Sequence, residues 1–167
     1  MTNPRDIEIK IANYFVQNSE NGLEHEVELN LTAFSKEIGL PISEVKLAAL
    51  GLKNRGSIEE SSEIGSEVVW ARAGLFIEFD GPLLGLNNRD DAREIAICFD
   101  GEVGRKLDVS SLASRFSGWS PRRLNSALHV LIEENHVRSI SALGQVTWVA
   151  AEIQCTVETL LFLRNSG

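Results

Sequence analysis

One pattern of apolar residues runs through this 167-residue chain twice. That internal repeat constrains the fold more than any single motif does. Leu31, Phe34 and Ile38 recur 78 positions later as Val109, Leu112 and Phe116. From Gly39 and Gly118 onward the offset is 79, one residue having entered before the turn. Val45 then falls on Leu124, Ala48 on Ala127, Leu52 on Leu131 and Ile58 on Val137. Further on, VVWARA falls on VTWVAA, with Trp70 over Trp148. In the leading segments Ile11 falls on Ile95 and Phe15 on Phe99.

Each copy reads as three helices followed by a hairpin. Ile7, Ile11, Tyr14 and Phe15 follow helical spacing over residues 6–17, as Ile95, Cys98 and Phe99 do over 90–99. Residues 29–31 read as a short extended piece and 104–108 as a loop. Thr32 caps the next helix of the first copy, which Gly39 closes, and Pro41 pre-sets the third helix. In the second copy Ser110 or Ser111 takes the capping role, and Ser117-Gly118-Trp119 makes a turn. Ser120 then stands as an N-cap with Pro121 at the first helical position. Residues 109–137 thus form a helix-turn-helix pattern, with a candidate recognition helix over 121–135. Residues 57–73 predict one hairpin, and strands at 137–140 and 146–149 a second. The stretch 74–89 has several glycines, a proline and no helical spacing, so it reads as a semi-ordered connector packed by Phe76, Ile77, Phe79, Leu83 and Leu84. Ile153, Val157, Leu160 and Leu161 predict a last helix with no counterpart in the first copy.

This order resembles the winged-helix family, a three-helix core with a helix-turn-helix and a two-stranded wing. The resemblance implies a mainly α, α+β chain with small β-hairpins. Its domains would be 1–73, a connector over 74–89, a second winged helix over 90–151 and a C-terminal helix over 152–167. In that family the third helix enters the major groove of DNA, so the residues on its outer face matter most. In the second copy the core takes Leu124, Ala127, Leu128 and Leu131, which turns Arg122, Asn125, Ser126 and His129 outward, with Arg123 at the shoulder. Arg suits guanine and Asn suits adenine as bidentate partners. Ser110, Ser111 and Ser120 suit phosphates, and Arg105, Arg115 and Arg138 add positive charge. Between residues 103 and 138 six basic side chains face three acids. The alternative for Arg122 and Arg123 is a solvated helix start.

The first copy lacks this chemistry. Ser43 and Glu44 replace Arg122 and Arg123, and Leu47 and Leu50 replace Ser126 and His129. Its wing carries Glu59, Glu60, Glu63 and Glu67. Carboxylates there repel phosphate. Outward leucines point instead to a protein surface, whether the connector, the second copy or an external partner. Residues 1–80 hold seven basic and fourteen acidic side chains, and the whole chain is −8. Overall acidity counts against a protein that coats nucleic acid, although one basic face remains compatible with it.

Two functions are therefore expected. One is a DNA-binding regulator that reads double-stranded DNA through the second copy, with Leu160 and Leu161 completing a homodimer. The other is a protein–protein adaptor using Leu47 and Leu50. Acidic tandem winged-helix proteins of the second kind include the segregation and condensation protein B family, which binds a kleisin subunit; the similarity lies in domain count and charge. No catalytic motif, phosphate loop or zinc signature occurs, so neither an enzyme nor a cofactor is expected. His25, His129 and His136 form no cluster with acids or cysteines, so no metal site is expected. Cys98 and Cys155 read as small buried hydrophobes in a reducing compartment. With neither a signal-peptide pattern nor an apolar run of membrane-spanning length, the expectation is a cytoplasmic protein.

Overall fold

The computed structural model describes residues 2–61, 67–141 and 147–165. The chain divides into two compact units, Met1–Leu84 and Gly85–Gly167. Each is mainly helical with one small antiparallel sheet, giving an α+β protein. The first unit runs α1 (Pro4–Asn18), β1 (Glu28–Asn30), α2 (Leu31–Ile38), α3 (Ile42–Asn54), β2 (Ile58–Glu60), β3 (Val68–Ala71) and α4 (Ala73–Leu84). The second repeats that order with α5 (Asn88–Ile97), β4 (Lys106–Asp108), α6 (Val109–Arg115), α7 (Pro121–Glu133), β5 (Val137–Ile140), β6 (Glu152–Cys155) and α8 (Val157–Asn165).

Local chemistry sets the helix ends. Asn3 Oδ1 accepts the Arg5 N–H, Pro4 occupies the first turn of α1 and Asp6 faces the positive end of its dipole. Asn30, rather than Thr32, caps α2, its Oδ1 accepting the Ala33 N–H at 2.9 Å. Gly39 ends that helix in the left-handed region, at φ 70°, where only glycine is unstrained. Ser120 caps α7 as expected, accepting the Arg123 N–H at 3.2 Å. Ser110 and Ser111 do not cap α6; they lie in its first turn and their hydroxyls donate to Asp108.

In each unit the strand nearest the end of the sequence is central, in the orders β1-β3-β2 and β4-β6-β5. Val69 stands opposite Leu29, and Ile153 opposite Leu107. Period-2 alternation sends Val69 and Ala71, and likewise Ile153 and Cys155, inward. They meet the helical stripes: Ile7, Ile11, Phe15 and Leu52 in the first unit, Ile95, Phe99, Leu124 and Leu131 in the second.

Three expectations change. The stretch read as a connector is helical from Ala73 to Leu84, forms α4 and belongs to the first unit. Its counterpart is α8, so the last helix is part of the repeat. Residues 104–108, read as a loop, contain β4, which adds a third strand to the second sheet. Finally, the second strand of the second wing is Glu152–Cys155, not 146–149. Six residues separate Ser61 from Val68, whereas eleven separate Ile140 from Glu152. A wing longer by five residues means that Trp148 has no strand register with Trp70. Val146 and Glu63, both named from the sequence, lie outside the described residues.

Candidate functional site

Helix α7 was expected to show a polar face to DNA, and it does not. Asn125, Ser126 and His129 are 0%, 1% and 2% exposed, and Arg122 is 9% exposed. The reason at Asn125 is explicit. Its Nδ2 donates to the Thr147 carbonyl at 2.7 Å, and its Oδ1 accepts the Val149 N–H at 3.0 Å. The carboxamide therefore clasps an extended backbone supplied by the longer wing, and Ala150 beside it is buried. Ser126 Oγ accepts from Asn88 Nδ2 of α5 at 3.5 Å. Arg123 forms a bidentate pair with Asp91, at 2.8 and 2.9 Å, and stacks over the Trp119 ring at 4.2 Å. The Asp91 hydrogen bonds hold its guanidinium above the usual arginine range. Arg105 Nη1 donates to Asp100 Oδ2 at 2.9 Å, and Ser120 is engaged as a cap. Of the ten residues assigned to DNA, Ser111, Arg115 and Arg138 stay exposed outside α7 and away from ion pairs.

The first unit is the reverse. Leu47 and Leu50 on α3 are 58% and 48% exposed, although their counterparts Ser126 and His129 are buried. Leu50 lines a groove of about 300 Å³ between α3 and the β2–β3 wing. Leu31, Ala49, Ile58 and Val69 form its apolar floor and walls. Lys46 and Lys53, from α3, meet Glu67 and Glu60 of the wing at 2.8 and 3.1 Å along the rim. The sequence disclosed the two leucines by helical position, but the groove needs the wing's placement and was not legible.

Two other features went unrecognised. Arg89 holds Glu134 bidentately at 2.6 and 2.8 Å, and Glu134 lies 3.3 Å from His136 Nε2. The Arg89 hydrogen bonds keep the Glu134 carboxyl below its usual range despite partial burial. An open cavity beside this set is lined also by Glu158, Leu161 and Phe162. Leu161 is exposed and Leu160 half-buried, so α8 presents one of the two leucines assigned to a dimer. Second, a loop in the first unit wraps the Glu26 carboxylate, which accepts the Ser19 hydroxyl at 2.7 Å and N–H groups of Glu20, Asn21 and Leu23.

Cys98 and Cys155 are buried free thiols, and burial pushes the Cys98 thiol up. Among the described residues no group of three or more His, Cys, Asp or Glu is placed to hold a metal ion. Among the same residues no helix is long and apolar enough to cross a membrane. No protein-family model matches this sequence, and no curated protein matches it either.

Proposed function

We propose that the protein is a protein–protein adaptor built from two winged-helix-like repeats, and that α3 of the first unit carries its contact surface. The observation behind this reading is the exposure of Leu47 and Leu50 on the helix whose second-unit counterpart is buried at the same positions. Two large aliphatic side chains one turn apart on a recognition-type helix favour contact with protein over contact with phosphate. The repeated order of helices, with a three-stranded sheet whose last two strands make the wing, supports the winged-helix resemblance. The test is a photo-crosslinking phenylalanine analogue at residue 47, in the cells that make the protein. The expected result is a discrete protein adduct that disappears when Leu50→Asp is added. Absence of any adduct sinks the reading.

DNA binding is the second reading, and Arg115 and Arg138, exposed on α6 and β5, are what favour it. It reduces to backbone contact, because the base-reading side chains of α7 are engaged internally. A salt titration on random duplex DNA with Arg115→Glu plus Arg138→Glu checks it; unchanged affinity and slope would remove it.

A further inference from the structure

We propose that the groove between α3 and the β2–β3 wing receives an extended apolar segment of a partner protein, flanked by basic residues and laid in as residues 147–150 are laid against α7. This deepens the adaptor reading and rests on it. In the second unit, α7 is covered at Asn125 by the chain's own extra wing residues, whose backbone the carboxamide clasps at Thr147 and Val149. The covering residues are Thr147, Trp148, Val149 and Ala150, an apolar run in irregular extended chain. In the first unit the repeat places Lys46 where the second has Asn125, and Leu50 where it has His129. The wing there is five residues shorter, and the equivalent site is a groove with Leu50 half exposed. The same architecture thus occurs once with its occupant in the chain and once without.

Size and charge fit such a segment. Four extended residues span about 13 Å, within the roughly 20 Å length of a 13-residue helix such as α3. A volume of about 300 Å³ suits a few aliphatic side chains rather than a folded surface. The rim lysines are already paired with Glu67 and Glu60, and such exposed pairs are worth little and yield easily. Around them the unit carries seven basic and fourteen acidic side chains. Electrostatic complementarity therefore selects basic flanks.

The test uses the full 15N-labelled chain and the synthetic peptide Lys-Lys-Thr-Trp-Val-Ala-Lys-Lys, followed by amide chemical shifts at low salt. The expected result is saturable shifts at Ala49, Leu50, Ile58 and Val69, with half-saturation below about 1 mM. Glutamate flanks in place of the lysines weaken binding by about tenfold or more. Leu50→Asp, at an exposed position that preserves the fold by circular dichroism, abolishes it. Lys46→Asn restores the carboxamide clasp and tightens binding about threefold or more. Shifts absent up to about 1 mM, shifts confined to other residues, or equal binding of both peptides overturn the proposal. So does a sedimentation result in which the chain is a dimer that Leu50→Asp dissociates, because the occupant is then a second copy. If the peptide fails while crosslinks at residue 47 persist, the extended segment falls and the adaptor stands; loss of both removes both.

Discussion

The Asn125 carboxamide satisfies a backbone carbonyl and a backbone N–H at once, so removing it leaves two groups orphaned in a buried place. A buried polar group left unpaired costs about 1–3 kcal/mol. Asn125→Ala is therefore expected to destabilise the second unit by about 2–4 kcal/mol, read as a lower urea midpoint. Asn125→Asp keeps the acceptor for Val149 but sets an anion against the Thr147 carbonyl, and is expected to be at least as harmful. A second residue-scale expectation concerns acid. Glu134 is held below its usual value of 4.5 by Arg89. A depressed carboxylate contributes stability that is present above the unfolded pKa and is lost as pH falls through the folded one. The second unit is thus expected to lose stability as pH drops from about 4.5 downward, and Glu134→Gln to flatten that part of the curve. The effect is modest, because Arg89 is 58% exposed and water screens the pair. Urea midpoints of both proteins between pH 6 and about pH 3 would decide it.

The terminal helices of the two units show what a sequence pattern can and cannot reveal. Helix α8 has nine residues, too short to persist alone, so tertiary contacts hold it. Thr159 Oγ1 donates to the His136 carbonyl at 2.5 Å, and Phe162 stacks on the His136 ring at 4.3 Å. Phe162→Ala is expected to cost about 2–3 kcal/mol, low for a buried phenylalanine because the site borders an open cavity. Faster hydrogen exchange across residues 157–165 would accompany it. Apolar spacing disclosed α1–α3 and α5–α7, whose stripes are the core. It hid α4 because Gly74, Gly81 and Pro82 read as breakers; Pro82 is tolerated near the helix end, where few backbone bonds remain to lose. It hid β4 because three residues are too few to show alternation. The outer face of α7 was misjudged for a different reason. Spacing tells which side of a helix is polar, not which other piece of chain will satisfy those groups. Asn125 and Ser126 are polar because they meet other parts of the chain, Thr147, Val149 and Asn88.

Across the whole molecule the charge is unevenly divided. The unit ending at Leu84 carries a net −7 of the chain's −8. With Arg123 and Arg105 paired internally, few cations remain to release counterions from a duplex. Binding to random duplex DNA at about 150 mM salt is expected to stay weaker than about 100 µM, the weak end of non-specific affinities. Fluorescence anisotropy measures this, and micromolar binding would contradict it. The clasp at Asn125 has a further consequence. Its occupant is tethered on both sides, through β5 and β6, and so is present at a high effective concentration, of millimolar order for a short connection. A free peptide of the same chemistry cannot compete there. The α3 groove has no such tether, so its occupancy follows the concentration of its partner. Two copies of one architecture thus differ in kind: the second is saturated at every condition in which the chain is folded, and the first reports on what surrounds it.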